Sequence, residues 1–283
     1  MERSAWRALC AVDRARLSEA RLQAHHAVQW LASAARAYVP PQPDDNHTSL
    51  GWDDAFEGFT THPLRDDLRL GLKLTDLSIT LLGGDRKTSM HLLCLNGRPD
   101  AHAKHWLAEQ LAAYGFDARG LDQPSPYDIP EHPIGMGAAY DTADLIDALR
   151  ELAAWFGNAN IVVEDIRGQL GKRGLEPSPA RCWPHHFDLA TLVSFPGRSG
   201  ETAYVGVGLS PGDMYYDEPY FYVTVYPAPD ISKLPPLSFG HWHTEHFVGA
   251  SAPAQKILSA DDRKAAIEEF LRNAVDGAIK VLR

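Results

Sequence analysis

Residues 183–195 read WPHHFDLATLVSF, and residues 203–227 read AYVGVGLSPGDMYYDEPYFYVTVYP. Short runs rich in β-branched and aromatic residues, bounded by turn formers, predict three strands here, at about 186–195, 202–209 and 220–226. Pro211-Gly212 supplies a turn between the second and third. Tyr220, Tyr222 and Thr224 recur at the period of two that places side chains on one face of a strand. Such hairpin-like connections predict an antiparallel sheet.

The same pattern occurs nearer the amino terminus. Leu68, Leu70, Leu72 and Leu74 alternate with Arg69, Gly71 and Lys73, which predicts a half-buried strand. Residues 77–82 and 89–95 read as two more strands, with a hairpin turn at Gly83-Gly84-Asp85. Shorter strands are expected around 48–52 and 56–60. Helical periodicity marks 17–38, 99–114, 141–156 and 261–282. Pro40, Pro41 and Pro43 end the first, Pro99 opens the second, and Asp141 and Gly157-Asn158 bracket the third. Residues 161–166 are open between a strand and a helical turn, and 168–179 read as a solvated basic loop. The expected class is α+β, mainly antiparallel, with helices packed on one face of the sheets. One compact unit over 1–283 is expected. Two similar helix–three-strand–helix halves, 15–116 and 141–283, are a further option. The Pro-rich segment 117–140 would join them. It is too long for a simple connection, and such segments are often functional or wrap a neighbouring surface.

Composition narrows the function classes. The chain has 283 residues, 45% of them hydrophobic and 23% charged, as in ordinary globular proteins. A net charge of −10 argues against nucleic acid and against anionic membranes as partners. No apolar run approaches the roughly 20 residues of a membrane span, and the charged first residues lack the apolar core of a signal peptide. Cys10, Cys94 and Cys182 are far apart and form no metal-type pair, which predicts reduced thiols and a cytoplasmic address. Cys94 sits in an apolar run and is expected to be buried. Adjacent His25 and His26 point about 100° apart on a helix and cannot readily chelate one ion, so one core-edge and one exposed histidine are expected. No GxGxxG follows a strand and no GxSxG elbow is present.

Three constellations could carry chemistry. If 186–195 is a strand from its start, His186 and Asp188 share a face. They could then ligate a metal or act as a base and its orienter. In GHWHTEHF (240–247), His241 and His243 are spaced to put two imidazoles on one side of a strand, a ligand set for zinc or a similar divalent ion. In 210–223, Asp213, Asp217 and Glu218 stand beside Tyr215, Tyr216, Tyr220 and Tyr222, residues that could line a pocket for a polar ligand. Each pattern has an ordinary structural counterpart: a capped turn, a partly core segment marked by Trp242 and Phe247, and a plain sheet surface.

A set of short motifs resembles an uncharacterised bacterial family, a domain of unknown function. The matching residues are Gln29, Asn46-His47, Gly58-Phe59-Thr60-Thr61, Phe187-Asp188-Leu189-Ala190, Phe195-Pro196-Gly197-Arg198, Glu218-Pro219-Tyr220-Phe221-Tyr222 and Tyr226-Pro227-Ala228-Pro229. The resemblance implies one fold over most of the chain and no particular activity. His185-His186 and HWHTEH depart from it. Two functional expectations follow. One is a metal-binding, hydrolytic site with His186, His241 and His243 as metal ligands and Asp188 and Glu218 as catalytic carboxylates. The other is a non-enzymatic module that binds a small molecule or peptide in an aromatic, acidic cleft through Tyr216, Tyr220, Tyr222 and Trp242.

Overall fold

The computed structural model describes residues 5–83, 88–198, 200–245 and 248–283, and the fold is α+β with two antiparallel sheets. The expected turn residues Gly84-Asp85, and His246 and Phe247, lie outside the described residues. The chain forms two compact units. The first comprises Val12–Ala154 and Cys182–Phe187; the second comprises Met1–Ala11, Trp155–Arg181 and Asp188–Arg283.

The first unit opens with α1 (Arg14–Tyr38), whose Asp13 side chain accepts from the Arg16 amide at 3.1 Å. Five strands follow: β1 (Gly51–Asp53), β2 (Gly58–Thr60), β3 (Arg69–Lys73), β4 (Ser78–Gly83) and β5 (Thr88–Cys94). They pair in sequence order. The register sets Leu70 opposite Leu81 and Leu72 opposite Ile79, so the leucine face is continuous. α1 packs against β3, with Ala24, Ala27, Val28, Leu31, Ala34 and Ala35 fully buried. Gly58 is required where β2 meets β3: a Cβ there would lie 2.1 Å from the Leu72 carbonyl oxygen. α2 (Asp100–Ala113) completes the unit, together with the first residues of α3 (Ile146–Lys172).

The short strand β6 (Arg181–Trp183) falls where the chain crosses between units, and its Cys182 exchanges backbone hydrogen bonds with Leu50 inside the first. The second unit contains β7 (Asp188–Pro196), β8 (Thr202–Ser210), β9 (Tyr220–Tyr226), β10 (His241–His243), β11 (Gly249–Pro253), α4 (Ala254–Leu258) and α5 (Arg263–Leu282). Its strands run in the order β10-β11-β9-β8-β7. One face presents Val205, Val207, Leu209, Phe221, Val223, Ala250 and Ala252, all buried. α5 packs on β8, β9 and β11 through a stripe that includes Ile267, Phe270, Leu271, Ala274 and Ala278. Trp155 of α3 meets Phe221 with ring centroids 6.3 Å apart.

Several expectations need correction. α3 does not stop at Gly157-Asn158 but runs to Lys172, taking in 161–166 and the start of the expected loop. Asn158 is fully buried, and its side chain accepts from the Arg7 amide at 2.8 Å and donates to the Arg7 carbonyl at 2.9 Å. A residue that reads as a helix stop is instead a polar clamp on the amino-terminal segment. Cys94 is exposed; Leu93 and Leu95, pointing the other way, take the buried positions. His25 and His26 are both buried, each held by a backbone carbonyl: Pro184 at 2.9 Å and Pro130 at 3.1 Å.

Candidate functional site

The face of the second unit's sheet opposite α5 collects the polar residues. Cross-strand register aligns Gly208, Tyr222, Ser251 and His241 in one row, and Gly206, Thr224, Gly249 and His243 in the next. Directly opposed residues share a face, so these side chains lie opposite the apolar set. Ser210 and Tyr220 begin a third row. The glycines make room. A Cβ on Gly208 would come within 2.8 Å of the Tyr222 hydroxyl oxygen, so the Tyr222 ring lies across that position.

Three tyrosines tie this face together. Tyr222 donates to the Asp188 carboxylate in a short hydrogen bond. Tyr220 donates to Asp213 Oδ2 at 2.5 Å. Burial, and in second place these carboxylates, push both phenols above their ordinary range, so both remain protonated donors. The Tyr216 hydroxyl lies 3.0 Å from His241 Nε2 and 3.0 Å from His243 Nδ1. Its ring centroid is 4.7 Å from that of Tyr220. Burial, followed by His243 and Lys256, lowers the His241 pKa and favours a neutral imidazole. Ser251, opposite both His241 and Tyr222, is 1% exposed, and its hydroxyl finds no partner among the described residues.

The structure thus brings Asp188, Tyr216, Tyr220, Tyr222, His241 and His243 onto one face of one unit. The remaining candidates sit elsewhere. Glu218 accepts from the Gln255 amide at 2.7 Å and caps the first turn of α4. Trp242 alternates to the helix-covered face, opposite Ala250, and donates from Nε1 to the Pro235 carbonyl at 2.7 Å. His186 is not in a strand. Residues 184–187 form a turn closed by hydrogen bonds from the His186 and Phe187 amides to the Trp183 carbonyl, with Phe187 at φ 55°. Pro184 interrupts the extended backbone, so β7 begins only at Asp188. His186 and its neighbour His185, rings 4.1 Å apart, belong to the first unit. Among the described residues, no group of three His, Cys, Asp or Glu side chains is arranged to hold a metal ion.

The first unit holds a cleft of about 270 Å³ that sequence reasoning missed. One wall is a stripe of α1 at helical spacing: His26, Gln29, Trp30, Ser33 and Arg36. The other comes from the Pro-rich segment. Leu121, Gln123, Ser125, Tyr127 and Ile129 line the cleft at every second position, with Pro124, Pro126 and Pro130 between or beside them. Proline fixes φ, so this wall is stiff and extended and its alternate side chains point inward. The base of the cleft is set by hydrogen bonds. Trp30 Nε1 and the Tyr140 hydroxyl both donate to Asp100 Oδ1, at 2.9 and 2.8 Å. Tyr127 donates to Gln29 Oε1 at 3.0 Å, and Gln29 Nε2 donates to the Pro184 carbonyl at 2.9 Å. The Arg36 guanidinium sits 5.9 Å from the Tyr127 ring centre, and no carboxylate pairs with it among the described residues. The signal that could have found the cleft was the alternation of proline with polar and aromatic residues in QPSPYDIP (123–130).

No helix of the described residues is long and apolar enough to cross a membrane. No family model, no curated protein and no solved structure matches the chain.

Proposed function

We propose that the protein is a non-enzymatic binding module whose ligand is a small organic carboxylate, held in the cleft between α1 and the Pro-rich wall. The observation that carries this reading is Arg36, a cation without a carboxylate partner facing a concave site. A planar guanidinium recognises a carboxylate through paired hydrogen bonds. Ser33 and Gln123 line the same cleft and offer further donors. Leu121, Ile129, Trp30 and Tyr127 offer apolar and aromatic surface for the rest of the ligand. Asp100 lies at the Trp30 end of the cleft, and Trp30 stands about 9 Å before Arg36 along the α1 axis at 1.5 Å per residue. That carboxylate favours a ligand whose far end is neutral or cationic. The volume suits a metabolite-sized molecule, at the small end of ligand sites. The stiff proline wall limits the ordering cost of binding.

The three scattered cysteines support a cytoplasmic address, and the net charge of −10 supports small molecules rather than nucleic acid as partners. Thermal melts test the binding site. Benzoate and 5-aminopentanoate are expected to raise Tm of the wild type, glutarate to do so less, and Arg36→Gln to lose the response. A wild type indifferent to all three, or an Arg36→Gln protein that responds equally, overturns the reading.

A further inference from the structure

The geometry points to a second, independent site: we propose that His241 Nε2, His243 Nδ1 and the Tyr216 phenolate bind a divalent first-row transition ion such as zinc or copper(II). Three good donor atoms converge here. Each imidazole nitrogen is 3.0 Å from the phenol oxygen. In a tetrahedral site with bonds of about 2.0–2.1 Å, neighbouring donors stand roughly 3.3 Å apart. The two edges from the phenol oxygen to the imidazole nitrogens therefore need to open by only a few tenths of an ångström to match those of such a site. Imidazole and phenolate together suit zinc, copper or iron rather than magnesium or calcium.

The three donors are held by means other than one another. His241 and His243 are fixed by β10, which pairs with β11 through Ser251 and Gly249. The Tyr216 loop is pinned by Asp213. Its carboxylate accepts from the Tyr215 and Tyr216 amides at 2.8 and 3.2 Å, and its amide donates to the Tyr216 carbonyl at 2.9 Å. Tyr220 fixes that carboxylate from the other side and packs its ring, tilted by 44°, against the Tyr216 ring. A pinned loop and a paired strand orient ligands in the way outer contacts do in metal proteins. β10 ends the strand order, and His241 is exposed, so a fourth position is open to water.

The proton balance is simple. Without metal, the phenol donates to one imidazole and accepts from the N–H of the other. On binding, the phenol proton leaves to solvent. The imidazole that pointed its N–H toward the phenol carries its proton on its other ring nitrogen instead, so both remain neutral ligands. Nothing is oxidised or reduced. Binding weakens as pH falls, because protons compete for the same atoms.

The experiment uses the full chain stripped with a chelator, then titrated with zinc or with copper(II). Wild type is expected to retain stoichiometric zinc after dialysis and, with copper(II), to develop a visible phenolate-to-copper charge-transfer band. His241→Ala and His243→Ala should each lose stoichiometric zinc. Tyr216→Phe, which removes only an oxygen, should stay folded by circular dichroism and lose the band. His186→Ala, in the other unit, should behave as wild type. The proposal is overturned if His243→Ala retains zinc as wild type does, if the band persists in Tyr216→Phe, or if His186→Ala abolishes binding. The outcome is independent of Arg36 and of the carboxylate cleft.

Discussion

The phenol of half-buried Tyr222 donates to the carboxylate of Asp188, joining β9 to the first residue of β7 across β8. The two residues lie in separate short motifs, FDLA and EPYFY, and one hydrogen bond connects them. Removing one partner of a buried hydrogen bond to a charged group costs about 1–3 kcal/mol. Tyr222→Phe is therefore expected to lower stability by that amount in denaturant unfolding, with an unchanged m-value. Gly208→Ala should do similar damage, because its Cβ would lie 2.5 Å from the Leu189 carbonyl oxygen and 2.8 Å from the Tyr222 hydroxyl. A Tyr222→Phe protein as stable as wild type would make this bond a bystander.

Glu218 should act as a cap and nothing more. It accepts from the Gln255 amide at the start of α4. Glu218→Ala should cost about 0.5–2 kcal/mol, the range for a lost cap. It should leave carboxylate-induced Tm shifts and zinc retention unchanged. Loss of either ligand response with unaltered stability would return Glu218 to a functional role.

Stability should fall between pH 6.5 and pH 4. Burial lowers the His25 pKa from 6.5 to about 4, against the opposing effect of its bond to the Pro184 carbonyl. The unfolded chain takes up this proton first as pH drops, so the contribution is complete above pH 6.5 and is lost progressively down to about pH 4. At 1.36 kcal/mol per unit the loss is on the order of 3 kcal/mol. Burial and the adjacent His186 also lower His185 to about 4, a half-exposed group that adds less. Denaturant melts across this range should show the slope, and His25→Gln should flatten it. A His25→Gln protein with the wild-type slope would assign the effect elsewhere.

Most strands of both sheets were legible because their signals are local, whereas β6 and β11 carry too little alternation to be read and were not expected. The leucine alternation at 68–74 and the Tyr220–Tyr222–Thr224 alternation each specify a face without help from distant residues. Period-two spacing likewise put His241 with His243, and Tyr220 with Tyr222, on one face each, but their meeting passes through β11 and is not local. What escaped depended on partners far along the chain. Asn158 looks like a helix terminator until Arg7 occupies both of its amide groups. The turn at 184–187 is decided by Pro184 and by Phe187, which stacks on His25 at 5.2 Å. The Arg36 cleft needs α1 and the Pro-rich wall side by side, and no periodicity within either one reveals the other.

The most direct measurement of the central claim is an NMR titration of the isotopically labelled full chain with 5-aminopentanoate, following the Arg36 Nε–H, the Gln123 side-chain amide and the Trp30 indole N–H. The account predicts saturable shifts of these signals together, and none in Arg36→Gln. Shifts that map away from α1 and the Pro-rich wall, or none at saturating ligand, would contradict it.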